Sequence, residues 1–552
     1  MSVMKNKIKH IVFVTVSTFL IISCSNILET DNPSAVTDEF YNSKSGQEKL
    51  LVDIYSKYRS VFNTGELQYY GTDLYMAITE SPDERMFNGY DASFNSTAGI
   101  VGPYWANLYK IVQESNILLS RCSKETPGMT IEEFNSITAQ GRVLRALAYY
   151  YLVETFGPVP FYSEEQKKVI LKVERTPEVE IYKFMVTDLT EAAALLPWKI
   201  SKPGQISKGA ALQLLGKIYL TRAYKSFSES TDFENASKNL DMIIDNSEGN
   251  FKLLESYGEV YQQSKQNNSE VIWSIQYGLD RNFIGVGNPQ QSSFGFNIVA
   301  LESDLFDKIQ KDYSSMNRFY WVNPKVHELF KNPDIDSRYD ATFQREFYVN
   351  NTKSLNFGKL GIYFPRWNDV SGITNAAIRF YPFKKDGEYN WYPQSSALPV
   401  LKVGADRMPI IKKFKDTQIN WEGPGSREDV IFRLSDTYLL SAEAYLGAGN
   451  ITKALDRINV LRRRAAVTAS VRNQMEVTAI DLNFILDERA RELLGEHDRW
   501  FDLKRTGTLI ERAKAYNIFV QKYNNLKLMH LVRPIPQDER NKVQGLDQNP
   551  NY

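Results

Sequence analysis

From Gln47 to about Lys265, apolar residues recur every three or four positions, the period of helices that each bury one face. That spacing predicts helices over 47–61, 103–121, 131–155, 177–196, 207–224, 232–246 and 254–265. Thr176-Pro177 followed by Glu178 and Glu180 reads as a helix start. Proline has no N–H to leave unbonded in a first turn, and carboxylates there face the positive end of the helix dipole. Pro197 marks the end of the same helix. Between about 268 and 426 the helical period fails. Gly, Pro, Asn and Ser there separate a short β-like run, Val271 to Gln276, from aromatic stretches such as Arg318-Phe319-Tyr320-Trp321 and Gly361-Ile362-Tyr363-Phe364-Pro365-Arg366-Trp367. Irregular segments of such length inside a folded chain usually carry function. The helical pattern returns near Glu428 and runs to about Tyr516.

Within that second helical region, 438–461 has the spacing of a tetratricopeptide hairpin, with small residues where two helices approach and rings between them. Tyr438, Ala442, Tyr445, Ala454 and Ile458 take those places, Leu461 replaces the last small residue, and Gly449-Asn450 supplies the turn. Looser copies pair Leu212, Gly216 and Tyr219 with Ala236 and Leu240, and Ala148 and Tyr151 with Leu189, Ala192 and Pro197. Three hairpins suffice for a small solenoid, and a generic helical bundle is the competing reading. The expected fold is mainly α: tetratricopeptide-like helical repeats at 47–267 and 427–552, with a long irregular, loop-rich ligand-binding region containing minor β at 268–426.

Charge narrows the function classes. The 66 basic and 66 acidic residues cancel, leaving no electrostatic footprint for nucleic acid or an anionic membrane surface. Aromatic residues make up 13% of the chain although its mean hydropathy is −0.39, so some rings are expected to face a ligand. Cys24 and Cys122 are the only cysteines and lie in unlike contexts, which excludes a disulfide framework. With only His10, His327, His497 and His530, a His-based zinc site or triad has few residues to draw on, and no cofactor is expected.

The N-terminus points to a compartment. Lys5, Lys7 and Lys9 precede an apolar run from Ile11 to Ile22, too short for a bilayer, which takes about 20 apolar residues. It ends at Leu20-Ile21-Ile22-Ser23-Cys24, which looks like a bacterial lipoprotein box. Residues 1–23 are therefore expected to be a signal peptide, Cys24 the acylated first residue, and 24–46 a lipidated tether. Several acyl chains anchor a protein firmly without a spanning helix.

The chain also resembles a known family, the SusD/RagB nutrient-binding lipoproteins of Gram-negative bacteria. The helix running from Gly141 to Phe156-Gly157-Pro158-Val159-Pro160 is similar to one of that family, as is Thr176 to Pro197 after it. The most specific match is Ile485-Leu486-Asp487-Glu488-Arg489-Ala490-Arg491-Glu492-Leu493 with Glu496-His497-Asp498-Arg499-Trp500-Phe501-Asp502-Leu503-Lys504-Arg505. It continues in Arg533-Pro534-Ile535-Pro536 and Gln548-Asn549-Pro550-Asn551-Tyr552. His497 and Asp498 stand where the family has a glycine after the acidic residue, which puts a local turn in question. The resemblance implies a surface-exposed outer-membrane lipoprotein, seated over a TonB-dependent (SusC-like) transporter, that binds an oligosaccharide. In some members the ligand is a peptide instead.

No nucleophile elbow, phosphate loop or His-Glu-x-x-His motif appears, and the chain is not expected to be an enzyme. Glu488, Glu492, Glu496, His497 and Asp498 alternate with Arg489, Arg491 and Arg499 at helical spacing, the arrangement of charges that pair with one another. Cys122 and Trp105, on apolar helix faces, are expected in the core. Sugar faces stack on exposed rings and are oriented by polar side chains. The candidate ligand contacts are Arg85, Asn88 and Tyr90 in the loop Ser81 to Tyr104, and Tyr320, Trp321, Trp367, Tyr389 and Trp391 in the irregular region. No metal ligands stand out. Glycan binding for import is the leading expectation; oligopeptide binding by the same fold and a tetratricopeptide scaffold are the alternatives.

Overall fold

The computed structural model describes residues 38–77, 82–280, 287–294, 305–307, 320–363, 410–418 and 425–552. It is mainly α, with short strands arranged as two-stranded pairs among the described residues. The helices Lys44–Phe62, Val101–Arg121, Ile131–Phe156, Glu178–Leu195, Lys208–Arg222 and Asp232–Ile244 pack in chain order, each against the next. The array then skips the irregular region: Asp232–Ile244 packs on Leu434–Gly447, which packs on Ile451–Arg464.

Local chemistry sets the ends of these helices. Thr130 and Glu133 form a reciprocal capping box at the start of Ile131–Phe156, and Gly157, at φ +73°, ends it. Ser207 and Asn450 accept a backbone N–H at the starts of their helices. Small residues decide how closely neighbours approach. A Cβ on Gly216 would lie 2.7 Å from Leu240 Cγ, so the helix Lys208–Arg222 can press against Asp232–Ile244 only because that position is bare. Ala442, Ala454, Ile458 and Leu461 of the expected hairpin are fully buried.

The irregular region leaves and returns through one pair of strands. Val271–Ile275 runs antiparallel to Asp429–Arg433, with an irregular register at Trp273. The first strand was expected; the second corrects the reading of continuous helix from Glu428. Val430, Ile431 and Phe432 suit a pleated strand, and the helix begins only at Leu434. The helix expected over 254–265 is also absent. In its place stand single 3₁₀ turns, Tyr257–Glu259 and Gln263–Lys265, each preceded by extended backbone at Ser256 and Gln262. Gly258 weakens a helix there, and the segment takes its shape from tertiary contacts: the Tyr257 hydroxyl donates to the Glu492 carbonyl at 3.1 Å.

The C-terminal motifs close the structure on the N-terminal ones. Asn549 donates from its amide to the carbonyls of Phe156 (2.9 Å) and Arg533 (2.8 Å), tying the chain's last residues to the turn at Gly157. Arg533 lies 4.3 Å from the ring centre of Trp500, a fully buried residue. One residue beyond the place of the missing glycine, Asp498 adopts the left-handed backbone, at φ +80°. Its carboxylate accepts from the Tyr151 hydroxyl at 3.0 Å and pairs with buried Lys217, which offsets the strain.

Candidate functional site

The densest cluster of acid and base groups lies under the helix Leu482–Glu492 and is buried. Arg433 reaches Glu496 at 2.7 Å, Glu270 at 2.8 Å and Glu492 at 2.9 Å. Arg338 reaches Asp336 at 2.7 Å and Glu488 at 2.8 Å, while Arg464 pairs with Glu270 and Glu492. A second set joins Arg489 and Arg505 to Asp502, and Arg499 and Arg512 to Asp73. Burial alone would raise the Glu492 carboxyl, but Arg464, Arg433 and Arg338 outweigh it and hold the group at about 2. These carboxylates are ion-paired, as expected, but mostly with arginines of other elements; of the pairs their own spacing offered, Glu488 with Arg491 forms at 2.6 Å.

His497 is held in the same way. Its Nε2 lies 2.9 Å from Asp429 Oδ1, its Nδ1 lies 3.2 Å from the Tyr69 hydroxyl, and its ring packs 4.8 Å from Phe62. Burial opposes its charged form, yet Asp429 raises its pKa. Among the described residues no group of His, Cys, Asp and Glu is placed to hold a metal ion.

The candidate ligand residues sort by exposure. The short strands Tyr75–Met76 and Trp321–Val322 pair antiparallel, and the helix Pro82–Gly89 follows the first, so the loop after Ser81 meets the irregular region. Rings make the joint: Tyr320 lies 4.7 Å from Tyr69, 5.2 Å from Tyr70 and 5.3 Å from Phe294, and Tyr70 lies 5.7 Å from Phe87. Tyr320 is thus buried, against the expectation of a free stacking face. Tyr90 is buried as well; at φ +48° it donates to the Gly71 carbonyl (3.0 Å) and packs 5.0 Å from His530. Asn88 is fully buried and binds both backbone groups of Ala77, at 2.7 and 3.0 Å, like a strand partner. These side chains form a floor rather than a contact surface.

Arg85 and Trp321 remain available. Arg85 is exposed, with Nε 2.9 Å from Asp91. Trp321 is half-buried against Met76 and Phe519. Cys24, Trp367, Tyr389 and Trp391 lie outside the described residues. Sequence reasoning passed over Tyr348 (46% exposed) and Phe357 (57% exposed), which belong to the hairpin of strands Glu346–Tyr348 and Leu360–Tyr363. The signal was the alternation at Glu346-Phe347-Tyr348, where Phe347 is buried and its neighbours face out.

A family model described as SusD family matches residues 269–552. The chain belongs to the SusD family. A second model, described as starch-binding and associating with the outer membrane, matches residues 27–220. A SusD-like protein of Formosa agariphila is 25% identical, over 97% of this chain and 96% of its own. The starch-binding protein SusD of Bacteroides thetaiotaomicron is 24% identical, over 78% of this chain and 75% of its own. Among solved structures, a laminarin-binding SusD-like protein matches with a TM-score of 0.69 at 23% identity, covering 92% of this chain and all of that one. A SusD homologue from Bacteroides thetaiotaomicron matches with a TM-score of 0.73 at 20% identity, covering 94% of this chain. The likeness in fold therefore covers more than nine-tenths of the chain, and the motif Ile485 to Arg505 supplies much of the buried charge network.

Proposed function

We propose that this chain is a lipid-anchored, outer-membrane protein of the cell surface that binds an oligosaccharide and passes it to a TonB-dependent (SusC-like) transporter, without catalysing a reaction. The observation that carries this reading is likeness over most of the chain to SusD-family proteins, among them a starch-binding and a laminarin-binding one. The site chemistry supports it. The clustered carboxylates and His497 are engaged in ion pairs, whereas glycoside hydrolysis needs two carboxyl groups free to face a sugar. In this reading Trp321, Trp367, Tyr389 and Trp391 stack on sugar faces and Arg85 orients hydroxyls. Asn88, Tyr90 and Tyr320 fix the floor beneath them, and acylated Cys24 tethers the whole.

The test is an array of glycans and peptides probed with the chain begun after Cys24, alongside long incubation with polysaccharides. Oligosaccharide binding without turnover is expected. Binding of peptides alone would replace the glycan reading, and turnover abolished by one Asp or Glu substitution would end the non-enzymatic one. Cys24→Ala should free the protein from the membrane fraction. Retention on outer membranes after a high-salt wash would refute the anchor.

A further inference from the structure

An open cleft of about 580 Å³ lies between the 3₁₀ turns at 257–264 and the segment 412–418, with Ala341 at its side. Its volume falls in the range of small-molecule sites, roughly 300 to 1,000 Å³. It shares no lining residue with the surface around Arg85 and Trp321. Its lining holds three lysines, Lys412, Lys413 and Lys415, and no acidic residue among the described residues. The rim is made of amides and hydroxyls: Gln262, Gln263, Ser264, Thr417 and Gln418.

The lysines differ in what they hold. Lys413 is buried and satisfied, with Nζ 2.7 Å from Glu496 and 3.1 Å from the Tyr257 hydroxyl. Lys412 is half-buried and makes no side-chain hydrogen bond or ion pair among the described residues. The carboxylates around it are taken. Asp340 binds Arg345 at 2.9 Å, Glu346 accepts from the Tyr348 hydroxyl at 2.8 Å, and Asp416 accepts from Ser426 and Gln418. Burial lowers the Lys412 pKa, with Asp340 too weak an attraction to restore it.

Behind the wall, buried Arg427 donates to the Gln263 amide oxygen (3.3 Å) and the Lys415 carbonyl (3.2 Å) rather than to a carboxylate. The Tyr261 hydroxyl, buried in the lining, makes no hydrogen bond of good geometry among the described residues, although Glu496, held by Lys413 and Arg433, lies near enough to interact with it. A desolvated cation without a counter-ion is costly, and an anion that supplies one is bound through a charge-assisted hydrogen bond.

We propose that this cleft is a subsite for an acidic sugar unit, one bearing a carboxylate or a sulfate, with Lys412 as its ion-pairing group and Gln263, Thr417 and Gln418 bonding its hydroxyls. The proposal rests on the reading of the chain as a saccharide-binding protein and narrows its ligand to a charged glycan. Calorimetric titration of the chain begun after Cys24 tests it, with uronate, sulfated and neutral oligosaccharides of equal length and sodium sulfate alone. An acidic oligosaccharide should bind more tightly than the neutral one and lose that advantage as salt rises. Lys412→Gln should weaken acidic binding about tenfold and leave neutral binding alone, while Lys412→Arg keeps it.

Whichever of the uronate and sulfated arms binds tighter identifies the anionic group. Thr417→Ala with Gln418→Ala, at exposed positions, should weaken acidic binding without moving the melting temperature. Equal binding of neutral and acidic ligands, or Lys412→Gln binding acidic ligand as wild type does, would overturn this subsite and leave the glycan reading standing. Sodium sulfate binding as tightly as the sulfated saccharide would overturn the sugar assignment. Failure to bind any saccharide would overturn both readings.

Discussion

Arg433, at the end of the strand that closes the irregular region, reaches three glutamates; Lys412, on the rim of that region, forms no ion pair among the described residues. Both are basic side chains taken at least partly from water. Arg433 sits where the helical array folds back on itself, and its charge is cancelled by Glu270, Glu492 and Glu496. Lys412 sits beside a cleft of amides and hydroxyls, unpaired among the described residues. Arg433, like Arg338 and Lys413 of the irregular region, is spent on holding the protein together, whereas Lys412 lines an open cleft. Two rings differ in the same way: Trp500 is fully buried, while Phe357 stands 57% exposed on a hairpin.

Acid should dismantle the first kind of region most. The Glu492 carboxyl is held at about 2, and Glu488 and Asp502 lie below their ordinary values because arginines outweigh burial. A carboxyl depressed in the folded state contributes stability that is fully present above its unfolded value near 4.5 and is lost as pH falls toward 2. Glu428, Asp188 and Glu114, raised by burial, titrate with the opposite sign but are outnumbered by depressed carboxyls that also include Asp73, Glu154 and Glu496. Melting temperature should therefore fall steeply below pH 4.5. A curve flat from pH 5 to 3 would mean the network adds no stability.

Next in size is the loss of one partner. Arg433→Ala leaves Glu270, Glu492 and Glu496 short of a buried counter-charge, and breaking such a pair costs roughly 3 to 5 kcal/mol. Urea unfolding measures it. Lys412→Gln, by contrast, should leave the unfolding midpoint where it is, and a comparable loss there would erase the contrast between the two regions.

How much of this was legible depended on whether a signal was local. The helices of the array show in the period of their apolar residues, because each contributes one face to a common core. The alternation of Glu488, Arg489, Arg491 and Glu492 announced pairing, but Arg338, Arg433 and Arg464 come from other elements and no spacing reveals them. The strand Asp429–Arg433 was missed because its partner, Val271–Ile275, lies far back in the chain. Asn88, Tyr90 and Tyr320 stood in segments without helical period, a pattern shared by exposed loops and by loops folded under others. What decides is the cover: Ala77 over Asn88, His530 beside Tyr90, and Tyr69 with Phe294 against Tyr320.

That floor can be tested directly. Asn88→Ala strips the Ala77 N–H and carbonyl of their partners inside the protein, at a cost of roughly 1 to 3 kcal/mol. Thermal unfolding should show it, and oligosaccharide titration of the folded variant should show weaker binding as the strand Tyr75–Met76 loosens against Trp321–Val322. An unchanged melting temperature would place Asn88 back among the surface residues.

The smallest effect is expected at the hairpin tip, where exposure is greatest. Leu355 is 98% exposed and Phe357 57%, and Gly358, at φ +78°, turns the chain so that the next strand can return along Glu346–Tyr348. The hairpin is anchored from its other side by Phe347, which is fully buried. Truncating an outward ring removes little packing, so Phe357→Ser should shift stability by no more than about 0.5 kcal/mol. Truncating a buried ring such as Trp500 to Ala should cost roughly 3 to 5 kcal/mol. Chemical denaturation of the two variants side by side measures the gap. A loss above about 1 kcal/mol for Phe357→Ser would mean that the ring is packed in solution, and the outward-facing character assigned to this part of the irregular region would fail with it.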